Sequence, residues 1–185
     1  MQLECRELGF EGIIEVTSPR FVDERGSFSR WYCADQVSAL IEELPFRQIN
    51  NSENFLKGTV RGLHYQLGAQ KEYKIVRCIQ GKVFDVVVDL RKNSDTFLQY
   101  LAVELCAEKN NALVIPPGCA HGFQVIEDNS QLLYLHTADY SPEHESGVSL
   151  QDPKLRIQWP LPITEVSDRD KGLPHLPKNF KGISL

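Results

Sequence analysis

A chain of 185 residues is long enough for one domain with a substantial hydrophobic core and short for two. Its 42% apolar and 24% charged residues are those of an ordinary globular protein, which excludes a disordered or fibrous chain. A net charge of -5 argues against nucleic acid or an anionic membrane as partner and leaves room for a local basic pocket holding a small anion.

At the N-terminus, Glu4, Arg6 and Glu7 stand where a secretion leader would be apolar, and no run reaches transmembrane length. A cytoplasmic location is therefore expected. Further along, Val37, Leu40, Ile41 and Leu44 take the i, i+3, i+4, i+7 spacing of a helix, with Asp35 placed to cap its start. That helix is expected to cover one edge of the fold. Short segments rich in Val, Ile, Leu, Tyr and Phe then follow, divided by Gly, Pro, Asn and Asp. The clearest are 60–66, 73–80, 82–90, 98–105, 112–115, 121–126 and 131–137. From Tyr140 onward, Asp152-Pro153, Trp159-Pro160, Pro162, Pro174 and Pro177 mark extended or turning chain. The pattern predicts one mainly β domain over 1–185: an antiparallel barrel with one short helix near its start and an irregular C-terminal segment able to close over a site.

The cysteines, Cys5, Cys33, Cys78, Cys106 and Cys119, are odd in number and scattered, without C-x-x-C spacing, and read as reduced thiols. Catalytic thiol chemistry at Cys119, beside His121, is the sharper alternative. More informative are polar residues set in strands, because a barrel interior is costly for them unless they are paired or used. His64, Lys74, His121 and Tyr134 are such residues. A histidine base, a cation facing an oxyanion and a phenolic acid suit proton abstraction beside a carbonyl. Each also has a plain structural reading: a packed histidine, a lysine reaching from a strand end, a tyrosine bonded to backbone.

The string PPGCAH has the P-x-G-x-x-H form of cupins, many of which bind metal. A metal cupin would add an H-x-H pair, and here His64-Tyr65-Gln66 stands instead. His136, His144 and His175 have no useful ligand spacing, so no metal is expected. Gly-rich phosphate loops are absent, which leaves Arg25 and Arg61, beside glycine turns, as the candidates for holding phosphate.

Taken in order, FVDERGSF (21–28), KGTVRGLHYQ (57–66), KIVRC (74–78), GKVFDVVVDLRKNSDTF (81–97), IPPGCAHGFQ (115–124), LLYLHTADYSPEHE (132–145) and SDRD (167–170) resemble the dTDP-4-dehydrorhamnose 3,5-epimerases. The resemblance implies a cupin or jelly-roll barrel, a homodimer, no metal or organic cofactor, and a nucleotide-linked 4-keto-6-deoxyhexose as substrate. By motif position it makes His64 the base, Asp170 its orienting partner, Tyr134 the acid on the opposite sugar face, and Lys74 the group facing the enolate oxygen. His121, with Asp85, would line the same pocket. Arg25 and Arg61 would hold the diphosphate, and Phe28, Gln48, Tyr140 and Glu145 the nucleoside, some reaching in from the second subunit.

The chain departs from the family pattern at Arg30, where Glu is common, at Leu135, where Lys is frequent, and before Arg61, where one residue is added. Strict strand alternation also puts Arg61 and His64 on opposite faces, so a shared site requires a bulge between them. The rival readings are a single-centre epimerase or a ketoisomerase, and, from another class, a non-catalytic sugar-nucleotide-binding cupin or a metal-dependent oxygenase.

Overall fold

The computed structural model describes residues 1–41 and 45–185. In chain order its strands are β1 (Glu4–Glu7), β2 (Ile14–Thr17), β3 (Arg20–Asp23), β4 (Gly26–Ser29), β5 (Gln48–Asn54), β6 (Val60–Gln66), β7 (Lys74–Gln80), β8 (Lys82–Asp89), β9 (Tyr100–Cys106), β10 (Asn111–Ile115), β11 (Cys119–Val125), β12 (Ser130–His136) and β13 (Glu145–Gly147). Among the described residues, two short α-helices, α1 (Ala34–Val37) and α2 (Asp168–Lys171), and a 3-10 turn over Gly68–Gln70 complete the regular elements. The strands form a six-stranded sheet ordered β1-β2-β10-β7-β12-β5, a five-stranded sheet ordered β13-β6-β11-β8-β9, and the separate hairpin β3-β4. Neighbouring strands are antiparallel, as the sequence led one to expect of a cupin-type jelly roll.

The two large sheets pack face to face. Val76, Cys78, Leu113 and Leu132 from one meet Val83, Val87, Leu105 and Phe123 from the other in a buried apolar core. Each outer face is also covered over part of its area. On the five-stranded sheet, Phe84, Val86 and Val88 lie under Leu155, Trp159, Leu176 and Phe180 of the C-terminal segment, with Trp159 edge-on to Phe84. This explains the near-continuous apolar run of β8, a strand buried on both faces. Gly81 makes the tight turn into β8 with φ +72°, where a Cβ would lie 2.4 Å from Ser130 Oγ.

On the six-stranded sheet, Val16, Ile75, Ala112 and Val114 lie under Leu3, Val37 and Ile41. The predicted helix therefore covers a sheet face and not an edge. It is also shorter than its spacing suggested, passing into turns after Val37. Cys33 occupies the N-cap position without a side-chain bond, and Asp35, expected there, sits in the first turn. Leu44 lies outside the described residues. A second helix, α2, was not anticipated; Ser167 caps it by accepting a bond from Asp170 N.

The C-terminal segment is irregular but tightly tied down. Asp152 accepts a hydrogen bond from Leu176 N at 2.6 Å, Val60 N donates to Glu165 O at 2.9 Å, and Val148 N donates to Leu63 O at 3.0 Å. These bonds lay α2 alongside β6. Between β6 and β11 the register slips: His64 pairs with His121 but Arg61 pairs with Phe123, so β6 carries one extra residue. This is the bulge that a shared role for Arg61 and His64 requires. Gly62 makes it possible, with φ +121° and a Cβ position only 2.6 Å from Gly122 Cα.

Candidate active site

Toward one end of the sandwich the inward side chains change from apolar to polar, and the sheets part around a cavity of about 750 Å³. Strand β5 contributes Gln48, Asn50 and Ser52, strand β6 Arg61, His64 and Gln66, strand β11 His121, and strand β12 Tyr134 and His136. Glu72 and Lys74 enter at the start of β7, and Tyr140, Glu145, Arg169 and Asp170 come from the C-terminal part. So many polar groups facing inward are tolerable only where each has a partner or a ligand.

His64 Nε2 lies 2.7 Å from Asp170 Oδ1, and the other oxygen of Asp170 accepts from Gly62 N at 3.0 Å. Burial pushes the Asp170 carboxyl up, but the bonds from His64 and Gly62 outweigh it and hold the group below the usual carboxylate range. An ionised Asp170 keeps the proton on Nε2 and leaves Nδ1 as the basic nitrogen. The dyad thus depends on the docked C-terminal segment for one member.

Directly across the strand pair from His64 is His121, whose Nε2 lies 2.9 Å from Asp85 Oδ2. Asp85 is fully buried, and its Oδ1 has no hydrogen-bond partner among the described residues. The His121 ring meets Tyr134 edge-on, with centroids 6.3 Å apart. Tyr134 belongs to the opposite sheet. Desolvation, and then the charge of Asp85, push its phenol well above the ordinary range, opposed by a bond with Ser52 and the charge of Arg61. The phenol is therefore protonated at neutral pH and able to donate.

Lys74 Nζ lies 3.3 Å from Glu72 Oε1, and Glu72 Oε2 lies 3.0 Å from His136 Nδ1. Arg61 donates to Asn54 Oδ1 at 2.7 Å and to Glu53 O at 3.2 Å. Glu145 accepts from Tyr140 Oη at 2.8 Å and pairs with Arg169. Gln48 donates to Ala138 O at 3.0 Å.

Of the residues singled out in the sequence, His64, Asp170, Tyr134, Lys74, Gln48, Arg61, His121, Tyr140 and Glu145 all line this one cavity. Arg25 and Phe28 do not. They sit on the β3-β4 hairpin, where Arg25 pairs with Asp23 and Phe28 is 69% exposed. Cys119 is buried beyond the cavity, and burial pushes its thiol up to about 12, which removes the thiol alternative. Among the described residues no three His, Cys, Asp or Glu side chains converge as a metal-ligand set.

Sequence reasoning missed Glu72, Ser52 and Arg169 and treated His136 only as a stray imidazole. Two of them carried a signal: Glu72 and His136 stand two residues from Lys74 and Tyr134, hence on the same side of an extended chain. Ser52 carried none, because QINNSEN shows no apolar alternation to mark it as a strand.

Comparison with known proteins identifies the family. The sequence profile of the dTDP-4-dehydrorhamnose 3,5-epimerases matches residues 7–178. The dTDP-4-dehydrorhamnose 3,5-epimerase of Mycobacterium tuberculosis is 37% identical over 93% of this chain and 87% of its own length. A dTDP-4-dehydrorhamnose 3-epimerase of Streptomyces niveus is 38% identical over 91% of this chain and 82% of its own. The solved structure of the Legionella pneumophila dTDP-6-deoxy-D-glucose-3,5-epimerase with dTDP-4-keto-L-rhamnose superposes with a TM-score of 0.89 at 34% identity, covering 94% of this chain and 93% of that one. With the profile spanning nearly the whole chain and relatives alike in both sequence and fold, this chain belongs to the dTDP-4-dehydrorhamnose 3,5-epimerase family.

Proposed function

We propose that this protein epimerises a nucleotide-linked 4-keto-6-deoxyhexose, converting dTDP-4-dehydro-6-deoxyglucose to dTDP-4-dehydrorhamnose, by proton transfer at the ring carbons that flank the ketone. The observation that carries the reading is the division of two proton-transfer groups between facing sheets: the His64–Asp170 dyad on one wall of the cavity and Tyr134 on the other.

The ketone acidifies the hydrogens on its neighbouring carbons. His64, in its neutral form, takes one from one face of the ring, and Asp170 stabilises the imidazolium that results. Negative charge moves to the ketone oxygen, which the Lys74 ammonium faces. Tyr134 returns a proton from the opposite face, and the centre is inverted. These steps use protein groups alone. His121, oriented by Asp85, completes the wall beside the ring. Arg61 holds the diphosphate, and Gln48, Tyr140 and Glu145 hold the nucleoside.

Arg25 and Phe28 complete the nucleotide site from the second protomer of a homodimer. The hairpin that bears them projects with Phe21, Val22 and Phe28 at 55%, 74% and 69% exposure, apolar area suited to a partner's surface. One domain over 1–185 and a cytoplasmic location belong to the same reading. Among the described residues no helix is long and apolar enough to cross a membrane.

Inversion at one centre only is the second reading, favoured by the similarity to the Streptomyces niveus 3-epimerase. The experiment is incubation of metal-stripped protein with dTDP-4-dehydro-6-deoxyglucose in deuterated water, with label located by NMR. Deuterium with inversion at both flanking carbons is expected of the wild type. Tyr134→Phe should admit label while losing inversion, because His64 can still exchange on its own face. A folded Tyr134→Phe protein inverting the same carbons at the wild-type rate would overturn the two-wall assignment.

A further inference from the structure

We infer that Glu72 is a positioning residue for Lys74, seated by His136, an inference that rests on the proposed placement of Lys74 at the enolate oxygen. The Glu72 side chain is 4% exposed, an expensive site for a carboxylate unless both oxygens are engaged. Both are: Oε1 faces Lys74 Nζ at 3.3 Å, and Oε2 faces His136 Nδ1 at 3.0 Å. Burial pushes this carboxyl up, but the bond from His136 and the charge of Lys74 prevail and hold it below the usual range, so it is an anion.

The surroundings fix Glu72 from two sides. Tyr73 N donates to Thr137 Oγ1 at 2.9 Å, and Thr137 N donates to Tyr73 O at 3.2 Å, which locks the backbone beside Glu72 to the end of β12. In the same ladder His136 is the register partner of Lys74. The His136 ring lies against Tyr134, with centroids 6.0 Å apart and planes 21° from parallel, which fixes the edge it turns to Glu72.

An anion next to the cation that answers the enolate weakens that cation's field at the substrate. Its presence calls for a compensating use, and geometry supplies one. Lysine is a point charge on a flexible four-carbon stem with three rotatable donors. Anchoring one N–H on Glu72 restricts the stem and leaves two donors for the ligand, and a prearranged donor has no reorganisation to make as charge develops. His136 occupies the second carboxylate oxygen, so Glu72 draws on Lys74 through one oxygen only. The contribution therefore appears in kcat and leaves KM nearly unchanged, as for any interaction strengthened in the transition state.

The test is a double-mutant cycle on the full-length protein, with kcat and KM for the 4-keto sugar nucleotide and thermal unfolding for each variant. Glu72→Gln keeps the shape but turns an amide N–H toward one of the two donors. It should lower kcat by up to about 100-fold, the scale of a misplaced group, with KM held. Lys74→Met should lower kcat by roughly 10²–10³, the loss of one oxyanion partner. In the Lys74→Met background Glu72→Gln should cost nothing further, because its target is gone. Losses that multiply would overturn the positioning role and leave Lys74 at the enolate. Wild-type kcat in Lys74→Met would overturn both. His136→Gln carries the same cycle if Glu72→Gln does not fold: a kcat loss that vanishes in the Lys74→Met background supports the inference, and one that persists overturns it.

Discussion

Replacing Asp170 with Asn is the most direct probe of the dyad, because it changes one atom's chemistry and little of its shape. The Asn carbonyl can still accept from Gly62 N, which Asp170 Oδ2 does now at 3.0 Å. The amide nitrogen then faces His64 Nε2, which Asp170 Oδ1 meets at 2.7 Å. An amide donates at that position, so Nε2 must become the acceptor and the ring proton moves to Nδ1, the nitrogen the reaction needs bare. A forced wrong tautomer costs on the order of 10⁴-fold in kcat, equivalent to about 5.5 kcal/mol of transition-state stabilisation. Stability changes too. The folded carboxyl of Asp170 titrates below its unfolded value, so its stabilising contribution is complete above that value and is lost as pH falls through the folded one. Asp170→Asn should be less stable than wild type at neutral pH, with the gap closing in acid. The assay is epimerisation with solvent exchange followed by NMR, beside thermal unfolding. A folded Asp170→Asn protein with kcat within tenfold of wild type would refute the tautomer argument.

The subunit arrangement has its own test. Arg25→Ala and His64→Ala proteins should each be inactive, and mixing them through unfolding and refolding should restore about a quarter of wild-type activity, since half the random dimers would carry one intact cavity; no recovery would place Arg25 outside the partner's site. Away from the cavity, Asp89 accepts from Arg91, Ser94 and Thr96 with its side chain fully buried. Burial raises its carboxyl, but those bonds prevail and pull it down to about 2. That contribution is present above the unfolded value of about 3.9 and is lost as pH falls through the folded one. Asp89→Asn should therefore be roughly 2 kcal/mol less stable at pH 7 in denaturant titrations, the difference narrowing as pH falls from 4 toward 2.

What the sequence made legible follows from how each element is buried. Strands β7, β8, β10, β11 and β12 were readable because each sends apolar residues into the core, among them Val76, Val87, Leu113, Phe123 and Leu132. Strand β5 was not. Its inner face is cavity wall, where Gln48, Asn50 and Ser52 replace the apolar residues that would have marked it, and its outer face is exposed. The hairpin β3-β4 was missed for a related reason, since none of its residues is buried within the chain. Among site residues, those separated widely in sequence, such as His64 and Asp170, came from the family resemblance, whereas spacing gave only single polar residues in strands. The Glu72–His136 contact joins residues 64 apart, and no local pattern announces it.

The cavity and the core are one surface read in two directions. Along β12 the inward residues run Leu132, Tyr134, His136, and along β7 they run Cys78, Val76, Lys74. Antiparallel register sets these pairs level with one another: Leu132 with Cys78, Tyr134 with Val76, His136 with Lys74. On the facing sheet β11 runs Val125, Phe123, His121, and His121 pairs with His64. Each strand therefore changes from apolar to polar within one layer of its neighbour, and the floor of the site is the top layer of the core. Side chains in a packed sandwich have little freedom to drift, so the groups standing on that layer inherit its rigidity. An epimerase needs a base and an acid held about one sugar ring apart on opposite faces. Under the proposed assignment, two sheets joined through a common core carry His64 and Tyr134 on walls that do not slide independently, which a site built on loops could not do.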